Sequence, residues 1–328
     1  MEDFQEHIPV LKEEVLSQFS PRAEDVLLDA TLGHGGHAKA YLTISPTARV
    51  IGLDADEEAL AAARNNLSAW ADQVVYIHSN FARLAEVVPS DVRITHVLFD
   101  LGIGSHQLAD SKRGFAFQGA GALTMRYGQQ EGLPPAMLEP LNILEQRLGA
   151  LPDAMDVLHR LDYRELAQLI RMYGEEKMAS RVAGAIKNAP LPQTAQELAA
   201  IITSALPSRY ERGRIHPATR TFQALRLAVN RELEALQAAL PQAMEVLQPN
   251  GKLAVISFHS LEDRIVKRFF REQARICVCP PEQPVCTCDR KPRLHIETKK
   301  PIVATEGEVV TNPRARSAKL RVATKLPP

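Results

Sequence analysis

No stretch of the sequence approaches the roughly 18 consecutive apolar residues that a membrane-spanning helix requires. Met1 to Pro9 hold three acids and no apolar export segment, so a cytoplasmic location is expected. Net charge is absent: 39 Lys+Arg balance 39 Asp+Glu over 328 residues. Cysteine is scarce, at four residues, and a reducing compartment argues against structural disulfides. Neither a GxGxxG fingerprint nor a G-x4-GK[ST] phosphate loop occurs, which weighs against the usual dinucleotide and nucleoside-triphosphate cradles. What is present is ordinary: 45% hydrophobic and 24% charged residues exclude disorder throughout. The length suffices for one large domain, or for one domain carrying an insert.

The balanced charge conceals a polarity. Residues 264–328 carry 15 Lys+Arg against 6 Asp+Glu, a surplus of +9 that the first 263 residues offset. A basic segment of this kind is either a solvated surface or a contact to phosphates. All four cysteines fall within twelve residues, as Cys277, Cys279, Cys286 and Cys288, spaced C-x-C-x6-C-x-C. Four thiolates in one loop could close a tetrahedral zinc site. The usual zinc spacing is C-x2-C, however, so a redox-sensitive or merely structural loop stands ahead of zinc.

Short β-branched runs alternate with helical patterns in the first hundred residues. Runs ending at Asp29, Asp54 and Asp100, with Val74 to Ile77 between the last two, read as buried parallel strands. Asp56 to Ala69 reads as a helix, and Asn80 as the cap of another. The pattern predicts an α/β, doubly wound sheet with ligands at the carboxyl ends of its strands. Beyond Gly114 only helical patterns occur: Asp162 to Tyr173, Glu175 to Asn188, Thr194 to Ala205 and a long Thr219 to Ala239. Strand periodicity resumes at Leu253, after a turn at Asn250-Gly251. The expected organisation is therefore one sheet domain, residues 1–111 and 216–328, with an inserted helical subdomain at 112–215 that serves substrate recognition.

The first strand runs into Asp29-Ala-Thr-Leu-Gly33-His34-Gly35-Gly36-His37, and Asp54 ends the second strand twenty-one residues after Gly33. Glycines at a strand-to-helix turn admit close backbone approach, and an acid ending the next strand can accept from ribose hydroxyls. Without a pyrophosphate fingerprint, a nucleoside cofactor remains. S-adenosylmethionine fits, since its sulfonium is cationic and acids are favourable beside it. His34 and His37 could contact a ligand carboxylate or cap the following helix.

These residues belong to longer stretches that, taken together, resemble the MraW/RsmH family: His7-Ile-Pro-Val-Leu11, Gly33 to His37, Asp100-Leu-Gly102 with Gln107-Leu108, Gly114-Phe115, His216 to Arg226, Ile256 to Phe270, and Asn312 to Arg321. The resemblance spans nearly the whole chain. It implies a class I S-adenosylmethionine-dependent methyltransferase fold and N4-methylation of a decoding-centre cytosine in 16S rRNA of the small ribosomal subunit. Cofactor contacts would fall on Gly35, Gly36, His37, Asp54, Phe81, Asp100 and Gln107. Asp100, Ser105 and His259 are the expected catalytic residues, and 16S rRNA is the expected partner; a homodimer is left open. The chain departs from the family pattern at Gly104, Ala120, Ala122 and Thr124, which bears on rate or substrate identity rather than on cofactor binding. A catalytically impaired cofactor-and-rRNA-binding module, or a methyltransferase for another acceptor, are the competing readings.

Arg264, Lys267, Arg268 and Arg271 recur at helical spacing and form a basic stripe, to which Arg314, Arg316, Lys319 and Arg321 add a second in extended chain. Arg220, Arg226 and Arg231 could line an RNA groove, or could pair with Glu232 and Glu234.

Overall fold

A computed structural model describes residues 8–104, 112–119, 121–128, 142, 152–213, 215–279, 283, 285 and 287–328. The chain divides into two compact units: residues 1–102 with 236–328, and residues 103–235.

The first unit is built on a seven-stranded sheet. In chain order its elements are α1 (Lys12–Phe19), β1 (Val26–Asp29), α2 (Gly36–Ile44), β2 (Arg49–Asp54), α3 (Glu57–Asn66), β3 (Val74–His78), α4 (Leu84–Val87) and β4 (Ile94–Asp100). The second unit contributes α5 (Ala154–Arg160), α6 (Tyr163–Gly174), α7 (Ala179–Asn188), α8 (Ala195–Ala205) and α9 (Thr219–Asn230). The chain re-enters the sheet unit within α10 (Glu232–Val246) and continues through β5 (Leu247–Ser257), α11 (Ser260–Gln273), β6 (Leu294–Ile296), α12 (Glu306–Thr311) and β7 (Lys319–Lys325).

The strand order is β3-β2-β1-β4-β5-β7-β6. Strands β1 to β5 run parallel, and β7 lies antiparallel between β5 and β6. This is the doubly wound α/β sheet of the class I methyltransferase fold. The connection order reverses between β1 and β4, and the crevice outside the carboxyl ends of such a pair is where open α/β sheets bind ligands.

Period-two alternation explains why both faces are apolar. Leu27, Val50 and Leu98 pack with α1, α2 and α3 on one face, while their neighbours Leu28, Ile51 and Val97 pack with α10 and α11 on the other. A strand buried on both faces needs a continuous apolar run, which is how β1 and β4 read in the sequence. Each such side chain contributes about 1.5–3 kcal/mol through burial. Under β4, the Tyr41 hydroxyl lies 2.7 Å from His96 Nδ1. Burial is the main force holding His96 below the usual imidazole range.

Three expectations need correction. Asn250 is not in a turn before the last parallel strand: it adopts φ 64° inside β5, where the pairing with β4 shifts register between Ile94 and His96. β5 thus begins at Leu247 and bulges, because Asn and the following Gly tolerate the left-handed backbone that the bulge requires. The single long helix from Thr219 to Ala239 is interrupted at Arg231, at φ 50°, and Asn230 Nδ2 donates to the Met125 carbonyl at 2.7 Å. Arg314 and Arg316 lie on a short 3-10 turn, Pro313–Ser317, and only Lys319 and Arg321 are in extended chain.

The division falls at 103 and 235 rather than 112 and 215, because α9 packs against α6 within the helical unit. Gly174 lies so near the Arg220 carbonyl that a Cβ there would come within 2.4 Å. Asp162 caps α6 in a capping box with Glu165, and Thr194 caps α8. Arg226 pairs with Glu232 at 2.8 and 3.1 Å, and the Tyr127 hydroxyl donates to the same carboxylate. Arg220 donates to the Glu175 carbonyl at 2.7 Å. No helix among the described residues is long and apolar enough to cross a membrane.

Candidate functional site

Four strand ends converge on one edge of the sheet unit. β1 ends in Asp29, β2 in Asp54, β4 in Asp100 and β5 in Ser257, with Asp100 paired in register with Ile256. Parallel pairing brings these ends to the same edge, with Asp29 set back: it lies opposite Gly52 and Leu98, two residues before Asp54 and Asp100.

Asp29 is the deepest of the three acids, at 1% exposure. Burial raises its carboxyl to about 7, against the pull of His37 and of the Thr31 N–H; Asp100 and Asp54 add to the rise. Thr31 links the strands: its N–H donates to Asp29 Oδ1 at 3.2 Å, and its hydroxyl accepts the Asp100 N–H at 2.6 Å.

Asp54 organises the glycine turn. Its Oδ2 accepts the Gly33 N–H at 2.8 Å and its Oδ1 the Asp56 N–H at 2.9 Å. Each carboxylate oxygen has a second lone pair, so this anchoring is compatible with the expected ribose contact. The glycines themselves divide into two groups. Gly33, at φ 52°, has only the Thr31 carbonyl at 4.0 Å near its absent side chain. A Cβ at Gly35 would meet Leu67 at 2.8 Å, and one at Gly36 would meet Pro9 at 2.6 Å. The latter two are small because protein packs against them. They still open α2, whose first N–H groups have no intrahelical partner and suit an anion such as a carboxylate.

His37, in the first turn of α2, is buried and places Nε2 3.5 Å from Asp100 Oδ2. Asp100 Oδ1 is buried and has no hydrogen-bond partner among the described residues, and His37 Nε2 is in the same position. Buried polar atoms without partners are costly, and an acceptor left unpaired at a strand end fits a ligand that brings a donor or a positive charge. Beside Asp100, Gly102 adopts φ 101° against the Phe258 ring. Phe81, capped by Asn80, stands edge-on to Phe99 at 5.7 Å, half-buried after β3.

His259, expected to be catalytic, also has a local structural task. It is the N-cap of α11: Nδ1 accepts the Glu262 N–H at 3.4 Å, while Glu262 Oε2 accepts the N–H groups of Phe258 and His259 at 2.8 and 3.2 Å. Its Nε2 faces Glu262 Oε1 at 3.2 Å. Glu262 is 2% exposed, so this pair fixes the start of α11. Ser105 and Gln107 lie outside the described residues, as does Ala120. Thr31 and Glu262 were missed in the sequence. A threonine two residues after a strand-ending acid, and an acid at the third position of a helix, are the signals that could have found them.

Arg264, Lys267, Arg268 and Arg271 are exposed along α11, which starts from the same sheet edge, and Arg316 is exposed as well. Arg321 is not: it is buried and grips Asp263 at 2.6 and 3.3 Å. Cys277, Cys279 and Cys288 come together in the loop after α11, and Cys286 lies outside the described residues.

A family model described as the MraW methylase family matches residues 4–326. The ribosomal RNA small subunit methyltransferase H of Heliobacterium modesticaldum is 46% identical over 328 residues, covering 98% of each chain. That of Geobacter sp. (strain M21) is 45% identical over 334 residues, covering 99% of this chain and all of the other. Among solved structures, an rRNA methylase from Streptococcus thermophilus is a distant likeness, at 11% identity and a TM-score of 0.40 over 97% of this chain and 95% of that one.

Proposed function

Since the chain belongs to the MraW methylase family, we propose that it transfers a methyl group to N4 of a decoding-centre cytosine in 16S rRNA of the small ribosomal subunit. S-adenosylmethionine is the methyl donor, and its sulfonium supplies an electrophilic methyl to an incoming nucleophile. The observation that carries the reading is Asp100: a strand-end carboxylate at the sheet's switch point, with one buried oxygen unpaired among the described residues.

The residues fit that donor. The opening N–H groups of α2 suit its carboxylate, the Asp100 carboxylate suits its positive charge, and Asp54 suits a ribose diol. Phe81 is the expected neighbour of the adenine. The exocyclic amine of cytosine is a weak nucleophile because its lone pair is delocalised into the ring. Asp100 accepts a hydrogen bond from that amine and holds the nitrogen in line, so positioning and electrostatics supply most of the acceleration. His37, 3.5 Å away, orients the Asp100 carboxylate. The product proton can leave to water, so general-base work by His259 is not required. The target base must be accessible or extruded from its stack. Arg264, Lys267, Arg268 and Arg271 would track the RNA backbone, and the helical unit, residues 103–235, would recognise the substrate. A ribosomal substrate accords with the cytoplasmic location expected from the sequence.

The test incubates the purified protein with labelled S-adenosylmethionine and with small subunits or free rRNA lacking the modification, then maps the label by mass spectrometry. Label on a cytosine amine is expected, with transfer by Asp100→Ala reduced at least about 100-fold at saturating cofactor. Transfer near the parent rate in Asp100→Ala removes the role given to that residue. Cofactor binding without transfer, or label on another acceptor, overturns the reading.

A further inference from the structure

Among the described residues between α11 and β6 no helix or strand occurs, and the base of this stretch is closed: the Arg293 N–H donates to the Gln273 carbonyl at 2.8 Å, and Arg290 pairs with Glu272 at 3.0 Å. Apolar burial does not hold its shape. Ile276, Val278 and Val285 are 73%, 44% and 69% exposed, whereas the thiols of Cys277, Cys279 and Cys288 are half-buried and turned toward one another. With neither helix, strand nor buried apolar side chains among its described residues, the stretch calls for another source of order.

The sulfur geometry points to one. The three Sγ atoms lie within 4.8 Å of one another, and Cys277 and Cys288 are 3.7 Å apart. A disulfide would bring two of them to about 2.0 Å. In a tetrahedron with metal–sulfur bonds of about 2.3 Å, the sulfur–sulfur edge is about 3.8 Å. Backbone donors address the same atoms: the Cys279 N–H points to Cys277 Sγ and the Val278 N–H to Cys288 Sγ, both at 3.4 Å. N–H groups directed at sulfur favour the thiolate and orient it as a ligand.

We propose that Cys277, Cys279 and Cys288 bind a zinc ion as thiolates and thereby lock the loop that follows the basic helix α11. Binding expels the thiol protons to solvent, and no redox step is involved. Soft thiolate donors in a tetrahedral arrangement select zinc over the hard divalent cations. Cys286, outside the described residues, is the remaining sulfur of the sequence pattern; the geometric argument rests on the other three. The site is remote in kind from methyl transfer, so it stands or falls independently of the reading above.

The test uses the full-length, untagged protein purified under reducing conditions without chelator. Elemental analysis should find about one zinc per chain after gel filtration, and Cys277→Ser/Cys279→Ser/Cys288→Ser should lower that content at least tenfold while leaving cofactor binding intact. Cobalt loaded in place of zinc should give the intense visible bands of a tetrahedral thiolate site. The proposal is overturned by parent protein that holds less than a tenth of an equivalent after reduction, zinc loading and desalting. Zinc content unchanged in the triple variant, or cobalt spectra lacking those bands, overturns it equally.

Discussion

Asp29 offers a quantitative check on the electrostatics of the strand-end acids. In the folded chain its carboxyl keeps a proton up to about pH 7, whereas the ordinary value is 3.8. Between those limits the native state binds one proton more than the unfolded state, so stability falls as pH rises, by about 1.4 kcal/mol per pH unit. The contribution is intact below about pH 4 and gone above about pH 7. Across the roughly three units this amounts to about 4 kcal/mol, of which about 3 kcal/mol lies between pH 5 and pH 8. Asp29→Asn abolishes the titration and keeps an oxygen for the Thr31 N–H, now at 3.2 Å. The assay is urea unfolding of parent and variant at half-unit intervals from pH 5 to pH 8. His96 titrates in both proteins and cancels in the difference. Relative to the parent, the variant should gain about 3 kcal/mol on going from pH 5 to pH 8, with unchanged slopes against denaturant. A difference that stays level within about 1 kcal/mol over that range would refute the assignment of a buried, proton-holding carboxyl.

Three further outcomes concern the same unit. Gly36→Ala places a methyl 2.6 Å from Pro9 Cγ; it should cost about 1–3 kcal/mol in thermal unfolding, more than Gly33→Ala, which meets open space and bears only the backbone penalty of about 1 kcal/mol. Equal costs would mean that Pro9 yields freely. Arg321→Met strips Asp263 of its bidentate partner and should destabilise by about 3 kcal/mol with little effect on RNA binding; Arg268→Glu with Arg316→Glu should weaken RNA binding and flatten its dependence on salt while leaving the unfolding midpoint in place. An unchanged salt slope would make the α11 stripe a solvated face.

The parallel core was legible because burial on both faces demands unbroken apolar runs, and because Asp29, Asp54 and Asp100 each end one of those runs. The family resemblance likewise rested on local stretches, and it led to the edge where these acids meet. What stayed hidden depends on pairings distant in sequence. β7 contains Arg321, whose charge suggested solvent until Asp263, 58 residues earlier, neutralised it. That His259 also caps α11 was hidden because histidine is an uncommon cap and its partner, the carboxylate of Glu262, is buried. The glycines at 35 and 36 suggested ligand approach, and the fold adds a second reason for their size that the sequence hides: a Cβ there would meet Leu67 or Pro9. The break at Arg231 follows from Asn230 reaching Met125, a contact that helical periodicity cannot register.

The central pairing of the sheet joins β4 to β5 across some 150 residues, Asp100 opposite Ile256. A ribosome making this chain at about 5–20 residues per second releases β4 many seconds before its partner exists. For that interval the nascent sheet has one bare border, hydrogen-bonding groups outward, at the very strand that carries Asp100. Bringing the two strands together also costs ring-closure entropy of several kcal/mol if the intervening chain is loose, a cost that shrinks once the helical segment has collapsed into a compact bead. The detour between the halves of the sheet thus sets a schedule for synthesis: helices first, last strands afterwards, and the border at Asp100 covered only once β5 has emerged.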